Sequence, residues 1–93
     1  MIACADGRCT LSGPVTMANV TQVLAESERA FNGSSIVVDL SGVTEVDSSA
    51  VSLLFEWRRQ ARGANRRIEY VNLPANLKSL AELYGVSNLL TGS

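Results

Sequence analysis

The segment "SSIVVDLSGV", residues 34–43, limits the fold more than any other stretch of this chain. Ile36, Val37, Val38 and Leu40 make an almost unbroken β-branched and apolar run. β-Branched side chains favour extended backbone, and a strand without polar alternation reads as covered on both faces. Such strands belong to α/β sheets, in which helices carry the chain from one parallel strand to the next. The following residues agree. "SGV" reads as a turn, "TEVD" as a very short extended piece, and Ser49 to Arg62 as a helix. In that helix Ala50, Leu54, Trp57 and Ala61 share one stripe, with Val51 and Arg58 at its edge; Gly63 and Asn65 end it.

Met1 to Arg8 has little periodicity and reads as a tail or a first edge strand, with a turn at Asp6-Gly7. Cys9 to Gly13 reads as a short strand ending at the Gly13-Pro14 turn. Thr16 suits a helix N-cap, Met17, Val20, Val23, Leu24 and Phe31 fall on or near one stripe, and Asn32-Gly33 is the stop. Toward the C-terminus, Arg66 to Leu73 alternates as a strand and Pro74 opens a third helix. Leu77, Leu80, Ala81 and Tyr84 form that helix's apolar face, Gly85 stops it, and "VSNLL" is expected to dock Val86, Leu89 and Leu90. The order β, α, β, short β, α, β, α predicts one small α/β domain over residues 1–93.

Composition removes several functions. With no histidine, the chain cannot build a Ser-His-Asp triad or an imidazole zinc site. It contains neither a phosphate-cradling G-x-x-x-x-G-K-[ST] nor a G-x-S-x-G elbow, so no enzyme, cofactor or metal is expected. Asp39, Glu45 and Asp47 lie near strand ends and could approach a cation, but read better as solvated or capping carboxylates. A net charge of -1 gives no global attraction to nucleic acid. The arginines at 58, 59, 62, 66 and 67 lack interleaved aromatic residues for base stacking and read as helix-end and solvated charges. Cys4 and Cys9 form no C-x-x-C pair and read as ordinary thiols in a reducing compartment. "MIACADGRC" is not a signal peptide, and no apolar run approaches the ~20 residues of a membrane span. A cytoplasmic protein without direct membrane insertion is expected.

Asp47-Ser48-Ser49 sits where a strand meets a helix. The bland account is capping: Asp and Ser oxygens accept the orphan amides of a first helical turn, for about 0.5–2 kcal/mol. The functional account uses the same physics, since a hydroxyl there lies at the positive end of a helix and can carry a phosphate or meet a partner. Trp57 shares the stripe of Ala50 and Leu54 and so belongs in the core. It is also an i,i+4 neighbour of Leu53, a pair that would anchor a protein partner if exposed.

From "VVDLSGVTEVDSSAVSLL" and "LPANLKSLAELYGV" the chain is identified as resembling the STAS domain, the sulfate-transporter and anti-sigma-factor-antagonist module, over Val15 to Leu90. The resemblance implies a STAS fold, a small β-sheet with about four helices packed on one side. In the anti-sigma antagonists the hydroxyl residue directly after the aspartate is phosphorylated by a partner kinase, which corresponds here to Ser48. Ala50 departs from the glycine usual in antagonists, and the sequence is more similar to STAS subunits of phospholipid-transporting ABC transporters. These bind a cytoplasmic ATPase subunit and support its assembly and activity in maintaining outer-membrane lipid asymmetry. The partner surface so implied comprises Asp47, Ser48, Ser49, Ser52, Leu53, Glu56 and Trp57.

Overall fold

The computed structural model describes residues 2–84. Its elements are β1 (Ile2–Ala5), β2 (Arg8–Val15), α1 (Val20–Ala30), β3 (Ser35–Val46), α2 (Ser48–Gly63), β4 (Arg67–Val71) and α3 (Ala75–Leu83). One sheet runs in the order β1-β2-β3-β4. β1 is antiparallel to β2, whereas β2, β3 and β4 are mutually parallel, as helical crossovers require. Three helices lie among the described residues, against the four or so expected. Gly85 and the expected "VSNLL" element fall outside those residues.

The core lies between one sheet face and the helices. β2 buries Cys9, Leu11 and Val15 while Arg8, Thr10, Ser12 and Pro14 are exposed, the alternation of a strand covered on one side. β3 buries Ile36, Val38, Leu40 and Val43. Val37 and Asp39 on its other face are only half-buried, so the expectation of a strand covered on both faces is corrected. Val37 pairs in register with Arg8 on one side and Glu69 on the other, long polar side chains whose stems flank it in place of a second helical layer. α2 touches both α1 and α3. Trp57 is buried against α1, where its Nε1–H donates to Ser27 Oγ at 2.8 Å and its ring lies 5.1 Å from that of Phe31. The Ser27 hydroxyl in turn donates to the Leu24 carbonyl at 2.7 Å. On the other side of α2, the Tyr70 hydroxyl donates to the Leu54 carbonyl at 2.6 Å, and burial pushes that phenol well above its usual pKa.

"SGV" does not break the strand as expected. β3 continues through it and absorbs the turn-like residues as irregularities against β2, with Thr10 opposite Asp39 but Ser12 opposite Gly42. Asp39 Oδ1 accepts from the Ser41 amide at 2.9 Å, which stabilises the local kink. Gly42 is needed because a Cβ there would lie 3.1 Å from both the Leu11 carbonyl oxygen and the Ser12 Cβ.

Cys4 and Cys9 are joined in a disulfide, not held as separate thiols, which corrects the expectation from composition. The cause is the hairpin. Asp6 and Gly7 have φ of 52° and 80°, the left-handed pair of a two-residue turn. That turn sets Ala5 opposite Arg8 and Cys4 opposite Cys9, with Cα atoms 4.0 Å apart.

Candidate partner-docking site

β3 ends at Val46 and α2 begins two residues later, so Asp47 alone makes the junction. It is the N-cap, in extended conformation. Its Oδ1 accepts from the Ser49 amide at 2.8 Å, and its Oδ2 accepts from the Met17 amide at 3.0 Å. One carboxylate thus closes the first turn of α2 and fastens to it the turn that precedes α1. The bond from Met17, followed by those from Ser49, holds the Asp47 carboxyl below the ordinary carboxylate range.

The turn pinned by Asp47 has its own fastening. Thr16 Oγ1 accepts from the Ala18 amide at 3.3 Å, while Asn19 Oδ1 accepts from the Thr16 amide at 2.9 Å. The Asn19 amide also donates to the Thr16 carbonyl at 3.1 Å, so these bonds close a turn ahead of the helix. It delays the helix to Val20 and leaves Met17 outside, 76% exposed, rather than on the core stripe where its spacing placed it. Met17 stands beside the α2 junction and is a surface residue that the periodicity of α1 concealed.

The expected contact residues divide into two groups. Ser48 and Ser52 are exposed, and Asp47, Ser49 and Glu56 are half-buried. Leu53 and Trp57 are 3% and 1% exposed, so both are corrected to core residues: their flank of α2 faces α1 and the sheet, not solvent. The apolar element beside Ser48 comes from other side chains. Ser48, Val51, Ser52, Phe55 and Tyr84 line a groove of about 270 Å³. Tyr84 was expected on the buried face of α3 but caps that helix and is 53% exposed.

Several charged side chains are paired locally. Glu56 accepts from Arg59 Nε at 3.1 Å and from Gln60 at 3.2 Å, and the arginine holds its carboxyl below the usual range. Arg66 Nε donates to the Gly33 carbonyl at 2.9 Å. Asp39 is occupied by Arg8, Ser41 and Asn72, and Asp47 by Met17 and Ser49. No group of three metal-ligating side chains occurs among the described residues. None of the described helices is long and apolar enough to cross a membrane.

The parallel β2-β3-β4 core with its antiparallel edge and helices on one face has the fold of an anti-sigma factor antagonist of known structure. The structure of the antagonist SpoIIAA in its unphosphorylated form superposes with a TM-score of 0.75 at 17% identity, covering 95% of this chain and 82% of that one. A second structure, described as a crystal structure analysis of Mglu, gives a TM-score of 0.64 at 20% identity over 83% of this chain and 20% of the other. No curated protein matches the sequence. The model of the family described as "Mlab, STAS domain" matches residues 3–91, and the chain belongs to that family. STAS domains act through protein–protein contacts.

Proposed function

We propose that this chain is a non-enzymatic docking subunit that binds the cytoplasmic ATPase of an ABC transporter for phospholipid trafficking, and supports that transporter's assembly and activity. Its contact surface is the rim formed by Asp47, Ser48, Ser49, Ser52 and Glu56, with Met17 and the groove walls Phe55 and Tyr84. The observation that carries this reading is the exposed Ser48 at the first position of a capped helix, directly beside an apolar groove. A partner side chain can fill the groove while the serines and the helix amides meet polar groups at its edge, the anatomy of a small protein interface. The MlaB-like family match supports the choice of partner. Co-expression with the ATPase subunit tests it. Ser48→Arg should abolish co-purification while far-UV circular dichroism stays unchanged, and retained binding with an intact fold would sink the assignment.

A second reading is an anti-sigma factor antagonist switched by phosphorylation of Ser48. It is favoured by the exposure of that hydroxyl at a helix N-terminus, where the helix dipole favours an added negative charge. The added charge of about -1.5 to -2 beside Asp47 would transform the rim. Intact-mass spectrometry after incubation with ATP and a cognate anti-sigma kinase separates the two readings. A stoichiometric phosphoryl adduct on Ser48 supports the switch, and an unmodified chain supports docking through the bare hydroxyl.

A further inference from the structure

The Cys4–Cys9 disulfide belongs to neither the capped junction nor the groove, and nothing in the docking surface requires it. Its two ends differ sharply. Cys4 is exposed on edge strand β1, whereas Cys9 is 2% exposed and part of the core. A cavity of about 300 Å³ opens beside the bond, with Cys4, Ala5, Asp6, Gly7, Cys9 and Asn32 on its wall. Such a space admits a small thiol to the Cys4 sulfur.

β1 has little else to hold it. Ala3, Cys4 and Ala5 are exposed, and Ile2 is its half-buried apolar residue. Outside the four-pair ladder, the Ile2 amide donates to Glu26 Oε1 on α1 at 3.3 Å, a long bond. A short edge ladder with one partly buried side chain is marginal without a crosslink. Its departure would uncover the backbone of Arg8–Leu11, the stretch of β2 that β1 now pairs.

We propose that the Cys4–Cys9 disulfide is a reversible thiol–disulfide exchange site for a low-molecular-weight thiol such as glutathione, and that its state decides whether β1 stays paired with β2. An incoming thiolate attacks Cys4 Sγ, the bond between the two cysteine sulfurs breaks, and Cys4 is left in a mixed disulfide. Cys9 departs as a thiolate and takes up a proton, since its buried surroundings favour the neutral thiol. A second thiolate attacks the small-molecule sulfur, forms the small disulfide and releases Cys4, which is protonated in turn. The protein disulfide thereby gains two electrons and two protons while two small thiols are oxidised to one disulfide. The reverse sequence, begun by Cys4 on the oxidised small molecule, closes the bond again.

The experiment equilibrates the full chain in glutathione buffers of graded oxidation, counts thiols by maleimide labelling and mass, and follows amide exchange residue by residue by NMR. Both thiols should appear together in one two-electron transition within the glutathione range. On reduction the amides of Ile2–Ala5 should exchange at least about tenfold faster, as a local opening requires, while those of α2 are unchanged. Cys4→Ser should show the fast exchange in every buffer. Thiols that remain reactive at all ratios, a bond that stays closed at all ratios, or β1 exchange that is equal in the two states would each overturn the proposal.

Discussion

Asp39 shows how a single side chain can be tied into an otherwise open sheet face. Bonds from Ser41, Asn72 and Arg8 reach its carboxylate, and they lower its pKa from 3.8 to about 2, the Ser41 amide contributing most. Because the folded value lies below the unfolded one, this stabilisation is fully present above about 3.8 and is lost as pH falls through about 2. Carboxyl-carbon NMR of Asp39 should therefore titrate near 2, and Asp39→Asn should flatten the acid limb of stability between those values. A midpoint at the ordinary 3.8 would show that the Ser41 bond does not persist in solution. Ser27 is the buried counterpart. Nothing in the sequence marks it, since spacing does not say that the lone tryptophan will point its N–H at that hydroxyl. Ser27→Ala leaves the indole N–H without an acceptor in the core and should cost about 1–3 kcal/mol in urea denaturation. A change within experimental error would mean that water replaces the hydroxyl.

Among the elements, α2 was the most legible, and for a physical reason: its cap, its stripe and its stop all agree over a long segment. β3 runs past the expected turn because Gly42 and Val43 pair with Ser12 and Gly13 of β2, which overrides the turn chemistry of Ser41-Gly42. Met17 was misplaced because periodicity does not register where a hydrogen-bonded turn over Thr16–Asn19 delays the first helical residue. The β1–β2 hairpin was readable in principle. Asp6-Gly7 with one residue on either side before each cysteine places the pair directly opposite in register, a geometry that cysteine spacing alone does not display. At this scale Asp47 is the decisive residue, since it caps α2 and holds the turn before α1. Asp47→Ala should cost about 0.5–2 kcal/mol for the cap. It should also speed amide exchange at both Met17 and Ser49; acceleration at Ser49 alone would show that the tie to Met17 contributes nothing.

For the whole molecule, the helices cover one face of the sheet, and the proposed docking rim lies where α2 leaves it. The two faces should therefore be functionally separable. On the proposed function, Thr10→Glu, on the exposed face, should leave binding of the ATPase unchanged, whereas Ser48→Arg should remove it. Loss of binding with both variants, each folded, would place the partner across the sheet and not at the α2 junction. The partner itself was not legible in the elements, because strand order and burial are common to STAS domains with different partners. What favoured one branch over the other was the chain's length, the local sequence at Ala50 and the tail from Val71.

The burial of Trp57 between α1 and the sheet gives the molecule a built-in optical reporter. As the single indole in the chain, it dominates the intrinsic fluorescence, and it reads the seam with α1 rather than the rim at Ser48. Emission should stay nearly constant when a partner docks and shift to longer wavelength only when α1 separates from α2. Folding and association of this protein can thus be followed in one cuvette without an attached dye: unfolding by the tryptophan's colour, and docking by the slower tumbling of the same ring.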